Sequence, residues 1–214
     1  MTFPATGGGP LLEGVLHLPS TTGRSPAAVV CHPHPLMGGT MDSAVVRAVC
    51  RALTAQGWVA FRFNFRGAGD SAGRFDEGRG EMDDVAGAVD FLCTLAEVDA
   101  ARLAVVGYSF GAAVGLQQAA RDPRVGWLVG IALPQEYYAA RWLDADTRPK
   151  LFIAGKNDRW APADALHEYV ARLPPPKRLR FVPRTDHFFA GREAEVAALI
   201  GRWIGEHTSE EPDR

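Results

Sequence analysis

Short apolar runs rich in valine and phenylalanine alternate along the chain with longer segments whose apolar residues recur at helical spacing. Runs at residues 14–18, 27–31, 59–64, 103–107, 127–132, 151–154 and 179–182 predict strands, because continuous apolar stretches of this length suit strands buried on both faces. Between them, Val46, Val49, Cys50 and Leu53 fall on one helical stripe. The same spacing recurs in Val85, Val89, Leu92 and Ala96, in Leu166, Tyr169, Val170 and Leu173, and in Val196, Leu199, Ile200 and Trp203. Strand–helix alternation from residue 27 onward predicts an α/β fold, a mostly parallel twisted sheet of about seven or eight strands with helices on both faces. Right-handed crossovers then bring the loops that follow the strands to one edge of the sheet, where ligands bind in such folds. The glycine-rich start at Gly7, Gly8 and Gly9 is expected to be a mobile lead-in or a hairpin turn, and residues 207–214 a flexible, solvated tail.

Length and composition narrow the class. A chain of 214 residues favours one domain, expected over residues 1–206, and has enough residues for a substantial core. The net charge of −2 leaves no electrostatic footprint for nucleic acid or an anionic membrane, although arginine supplies all but three of the 23 basic residues. Cys31, Cys50 and Cys93 each sit in an apolar stretch, which predicts reduced thiols in a cytoplasmic protein rather than a disulfide scaffold. No apolar run approaches the ~18 residues of a membrane span, and the first ten residues lack the pattern of a signal peptide.

The chemistry concentrates at Gly107-Tyr108-Ser109-Phe110-Gly111, which follows a strand-like run and precedes the helical Ala112-Ala113-Val114-Gly115-Leu116. This is G-x-S-x-G in strand–turn–helix context, a nucleophile elbow. A side chain two positions either side of the serine would collide with the adjoining strand and helix, and glycine at 107 and 111 removes that collision. The helix starting at Phe110 would point its free N–H groups at an attacked carbonyl.

A serine hydroxyl needs a base, and the base an orienting acid. His17 falls in an early strand, His167 in a helix and His207 in the tail. His187 follows the last strand, on the loop edge, and is the expected general base. Asp158 follows the strand at 151–154 and is the expected acid. Asp186 would have to fold back to reach His187 and suits a turn-capping role better, whereas Asp144 and Asp146 have no strand immediately before them.

With these residues in place the chain resembles the α/β-hydrolases over nearly all its length, and more narrowly the small bacterial hydrolases related to dienelactone hydrolases. The segments Cys31-His32-Pro33-His34-Pro35-Leu36-Met37-Gly38-Gly39-Thr40-Met41-Asp42, Asn64-Phe65-Arg66-Gly67-Ala68-Gly69-Asp70-Ser71 and Asp186-His187-Phe188-Phe189 also carry the likeness. Dienelactone hydrolases proper have cysteine at the elbow, where this chain has Ser109. The resemblance implies a serine hydrolase of carboxylesterase type working through an acyl-enzyme on Ser109 and says little of the substrate; a small soluble acyl compound is expected instead because the short chain leaves no room for a lid. The resemblance further implies an oxyanion hole made by the N–H of Phe110 and one N–H of residues 32–39. Pro33 and Pro35 have no N–H, which leaves His34, favoured, or Leu36.

His32 and His34 have no carboxylate or cysteine close by and make a poor metal pair, so neither metal nor cofactor is expected. Arg66-Gly67-Ala68-Gly69 lacks the features of a phosphate loop and is expected to be a turn. Tyr137, Tyr138, Trp160 and Phe188 fall near strand ends and are candidate walls of a substrate pocket. A cap in this family follows the strand at 127–132, yet only about 18 residues separate it from the next, which predicts an open site with no cap domain. A thioesterase, an amidase or peptidase, an acyltransferase, or an idle hydrolase fold serving as a binding protein would use the same framework. A monomer or a homodimer, with no nucleic acid or membrane partner, is the expected state.

Overall fold

The computed structural model describes residues 1–208. Eight strands form one sheet in the order β1-β2-β4-β3-β5-β6-β7-β8. They are β1 (Thr2–Pro4), β2 (Leu11–His17), β3 (Ser25–Cys31), β4 (Val59–Phe63), β5 (Val98–Tyr108), β6 (Val125–Ile131), β7 (Lys150–Gly155) and β8 (Lys177–Val182). β1 pairs antiparallel with β2, and β2 antiparallel with β4. Every other pairing is parallel. The glycine-rich start is therefore a hairpin turn, of the two alternatives the sequence left open.

Alternation along the strands builds two cores. Ala27, Val29 and Cys31 of β3 face one side, and Ala28 and Val30 the other. The first side packs against α2 (Arg79–Cys93), α3 (Phe110–Ala119) and α4 (Ala163–Arg172), the second against α1 (Ala44–Ala55) and α5 (Glu193–Thr208). The predicted stripes of α1 and α4 are buried, and so is that of α5 except for a partly covered Leu199. Ala96 lies beyond the end of α2 and is exposed. α5 runs through Thr208, so the first two residues of the expected tail are helical, and residues 209–214 lie outside the described residues. No helix among the described residues is long and apolar enough to cross a membrane. Cys31 and Cys50 are buried and Cys93 is half-buried, all three with free thiols; burial raises their pKa values, that of Cys50 to about 12.

The turn after β4 is fixed by an ion pair. Arg66 donates to both carboxylate oxygens of Asp84 on α2, with Nη2–Oδ1 at 2.7 Å, and its backbone N–H adds a bond of 2.9 Å. The Asp84 side chain is fully buried, and burial pushes its carboxyl up against the pull of the arginine's hydrogen bonds. Removing one partner of such a pair leaves an uncompensated buried charge. Arg66→Ala is therefore expected to cost about 3–5 kcal/mol in urea unfolding. A loss below 1 kcal/mol would show the pair to be dispensable.

Candidate active site

β5 ends at Tyr108 and α3 begins at Phe110, so Ser109 makes the whole turn between them, with φ 55° and ψ −119°. Few residues with a side chain adopt a positive φ, and the conformation is held from both directions. Ser109 N–H donates to Ile131 O at 2.8 Å, and Ser109 O accepts from Ala112 N–H at 2.9 Å. A Cβ on Gly107 would lie 2.2 Å from Gly111 O, and one on Gly111 would lie 2.5 Å from Cys31 O and His32 O. Both elbow glycines are thus required by close backbone approach.

Ser109 Oγ lies 2.8 Å from His187 Nε2, and His187 Nδ1 lies 2.8 Å from Asp158 Oδ2. The other Asp158 oxygen accepts N–H bonds from Trp160 at 2.8 Å and Ala161 at 2.9 Å, which fixes the carboxylate plane. An ionised Asp158 accepts from Nδ1–H, which leaves Nε2 unprotonated and able to accept the Ser109 hydroxyl. The three side chains come from the loops after β5, β7 and β8, at the carboxyl edge of the sheet. Asp186 accepts from Phe188 N–H at 3.0 Å, the turn-capping role expected of it. Asp144 and Asp146 pair instead with Arg141 and Arg148.

Two supports of this arrangement went unread in the sequence. Tyr108 Oη donates to His187 O at 2.9 Å, fixing the backbone of the histidine from within the elbow motif. Gly155 ends β7 where a Cβ would lie 2.3 Å from Asp186 O, so only glycine lets the histidine loop lie against the aspartate loop. Asn157 N–H then bonds Thr185 O at 2.8 Å and joins the two loops.

The loop after β3 curls into a single 3-10 turn, Pro35–Met37. Leu36 N–H donates to His34 Nδ1 at 3.2 Å, whereas His34 N–H and Phe110 N–H have no protein acceptor among the described residues. Of the two loop donors considered, Leu36 is therefore committed and His34 is open. His34 also packs against Phe110, ring centroids 4.9 Å apart. His32 is buried, with Nδ1 2.6 Å from Pro33 O and Nε2 accepting from Phe65 N–H at 3.0 Å. Both ring nitrogens are thus spent, Nδ1 within the β3 loop and Nε2 on holding that loop to the β4 loop.

Burial pushes the His32 pKa down to about 4. The unfolded chain takes up this proton as the pH falls through about 6.5, whereas the folded ring stays neutral until about 4. The stability tied to His32 is fully present above that range and is lost as pH falls through it, up to about 3 kcal/mol. Urea unfolding at pH 7 and pH 4.5 is expected to show a steeper loss for the wild type than for His32→Gln. Equal slopes would mean that the ring is protonated in the folded protein.

A cavity of about 560 Å³ opens beside Ser109, within the range of small-molecule sites. Tyr137, Trp160 and Phe188 line it as expected, together with Glu136, Met37 and Val45, which had not been singled out. Tyr138 does not line it. Successive residues of the Gln135–Tyr137 turn point in different directions, and Tyr138 is buried on the opposite side. Its ring stacks on Tyr169 at 4.9 Å and its hydroxyl donates to Leu133 O at 2.9 Å. Between β6 and β7 that turn is the only helical segment, so nothing covers the mouth as a lid.

Residues 24–134 match the family described as serine aminopeptidase, S33, and residues 108–210 match the family described as PhoPQ-activated pathogenicity-related protein. An uncharacterized protein of Rickettsia prowazekii is 31% identical over 193 residues, 86% of this chain and 81% of that protein. An α/β serine hydrolase homologue from Coxiella burnetii superposes with a TM-score of 0.84 at 31% identity, covering 94% of this chain and 96% of the other. A lidless member of the α/β serine hydrolases from Xanthomonas campestris gives 0.83 at 32% identity, over 99% and 95% of the two chains.

Proposed function

Since the chain belongs to the α/β-hydrolase superfamily, we propose that it is a serine hydrolase of carboxylesterase type, cleaving small acyl compounds through an acyl-enzyme. The observation that carries this reading is the hydrogen-bonded line from Ser109 through His187 to Asp158, beside an open cavity of small-molecule size. Ser109 Oγ bonds to the acyl carbon as its proton passes to His187 Nε2. Asp158 keeps the proton on Nδ1 and stabilises the imidazolium. The N–H groups of Phe110 and His34 receive the oxyanion, each contributing about 3–4 kcal/mol where such donors have been removed. His187 then protonates the leaving group. Water, deprotonated by the same nitrogen, releases the acid and restores Ser109.

The match to a family described as serine aminopeptidase favours a second reading, in which the scissile bond is an amide. Rates on ester, thioester and amide substrates with one acyl group separate the two. An ester preference supports the first reading, and amide turnover at comparable kcat/KM the second. A fluorophosphonate probe is expected to leave its adduct on the peptide containing Ser109. No adduct there would remove both readings.

A further inference from the structure

One wall of the cavity has a composition that apolar packing does not require. Trp160 and Phe188 meet edge to face, centroids 5.7 Å apart, yet remain 48% and 57% exposed. Tyr137 adds a third ring from the β6 loop, and the residue before it is Glu136. Among the residues lining the cavity, Glu136 carries the one formal charge. It has no ion-pair partner among the described residues, since Arg141 is engaged by Asp144 at 2.6 Å and Arg159 does not line the cavity. The two imidazoles on the wall are turned to other partners, His34 Nδ1 to Leu36 N–H and His187 Nε2 to Ser109 Oγ.

Resting on the hydrolase reading of this site, we propose that the cavity selects acyl compounds carrying a cationic ammonium group, bound by Glu136 and the exposed rings of Trp160 and Phe188, with Tyr137 beside them. Ring faces attract a cation through their quadrupole, and the exposed Glu136 carboxylate on the cavity wall adds a screened Coulombic attraction. An anionic substrate meets the same carboxylate with no lining lysine or arginine to offset it. A neutral substrate gains only apolar contact. Trp160 and Phe188 touch the His187 ring yet keep about half their surface free for a ligand, whereas Tyr137 is more covered, packed beside Trp142.

Binding tests the site without relying on turnover. The wild-type protein is titrated by nuclear magnetic resonance with (2-hydroxyethyl)trimethylammonium, with its neutral isostere 3,3-dimethylbutan-1-ol, and with 4-hydroxybutanoate. The cation is expected to bind about tenfold more tightly than the neutral alcohol, and the anion most weakly. Glu136 lies on an exposed turn, so Glu136→Gln puts little of the fold at risk, and it is expected to cut the cation-to-neutral ratio about fivefold. The acetate esters of the three alcohols are expected to follow the same order in kcat/KM. Equal binding of cation and neutral isostere, or a ratio that Glu136→Gln leaves unchanged, overturns the proposal. A preserved ratio with no ester turned over and no fluorophosphonate adduct on Ser109 would retain the cation site and remove the hydrolase reading beneath it.

Discussion

Ser109→Ala is expected to lower kcat/KM on the best ester by about 10⁵- to 10⁶-fold, the size of effect seen when a serine nucleophile is removed from such a triad. The substitution deletes the atom that bonds to the acyl carbon and leaves its setting unchanged. The anchors of the turn, Ser109 N–H to Ile131 O and Ser109 O from Ala112 N–H, are backbone bonds that alanine keeps. The strain of φ 55° is common to both residues, since both carry a Cβ. The variant should therefore melt within a few degrees of the wild type while its turnover falls to the level of the oxyanion donors and binding alone. Steady-state rates with parallel thermal unfolding check both halves. More than 1% residual activity in a folded variant would place the nucleophile elsewhere.

The elbow was legible in the sequence because its requirements are local. Two glycines at fixed spacing, a strand before and a helix after are sterically necessary around a serine held at positive φ, and each occupies a nearby position in the chain. His187 and Asp158 were legible for a related reason: topology forces the loops after parallel strands to one edge, so position in the strand order stands in for position in space. What escaped detection depends on contacts between distant segments. Gly155 reads as an ordinary strand end until Asp186 O is found 2.3 Å from where its Cβ would be. Tyr108 reads as a filler of the motif until its hydroxyl meets His187 O, 79 residues away.

Secondary structure shows the same division. β1 is only Thr2–Pro4, too short for any period to register, and exists because β2 offers an edge to pair with. β5 begins at Val98, well before its apolar run, because residues 99–102 continue the strand with side chains that are largely solvated. Tyr137 and Tyr138 look equivalent as neighbouring aromatics, yet one turn of 3-10 helix directs the first into the cavity and the second onto Tyr169. Glu136 belongs to the same turn, and a lone exposed acid in a loop carries no signal until the cavity it lines is known. The loops that bring Ser109, His187 and Asp158 together thus follow from topology, whereas the walls of the cavity depend on contacts that only the folded chain makes.

Asp158→Asn is expected to lower kcat about 10⁴-fold with little change in KM, through the histidine tautomer rather than through lost packing. The two N–H groups of Trp160 and Ala161 converge on Asp158 Oδ1 at 2.8 and 2.9 Å, and both need an acceptor. In the variant the amide oxygen must stay on those donors, which turns the NH₂ toward His187 Nδ1, 2.8 Å away in the wild type. Nδ1 then accepts, the proton moves to Nε2, and Nε2 can no longer take the hydroxyl proton of Ser109. Histidine, serine and cavity walls all remain in place, so substrate affinity and fold should be retained. Asp186→Asn is the matched control, because asparagine can still accept from Phe188 N–H and that residue has no bond to the imidazole ring. It should stay within about twofold of wild type, the range of a conservative surface change. If the two substitutions reduced kcat alike, the acid that orients His187 would not be Asp158, and the tautomer argument would fail with it.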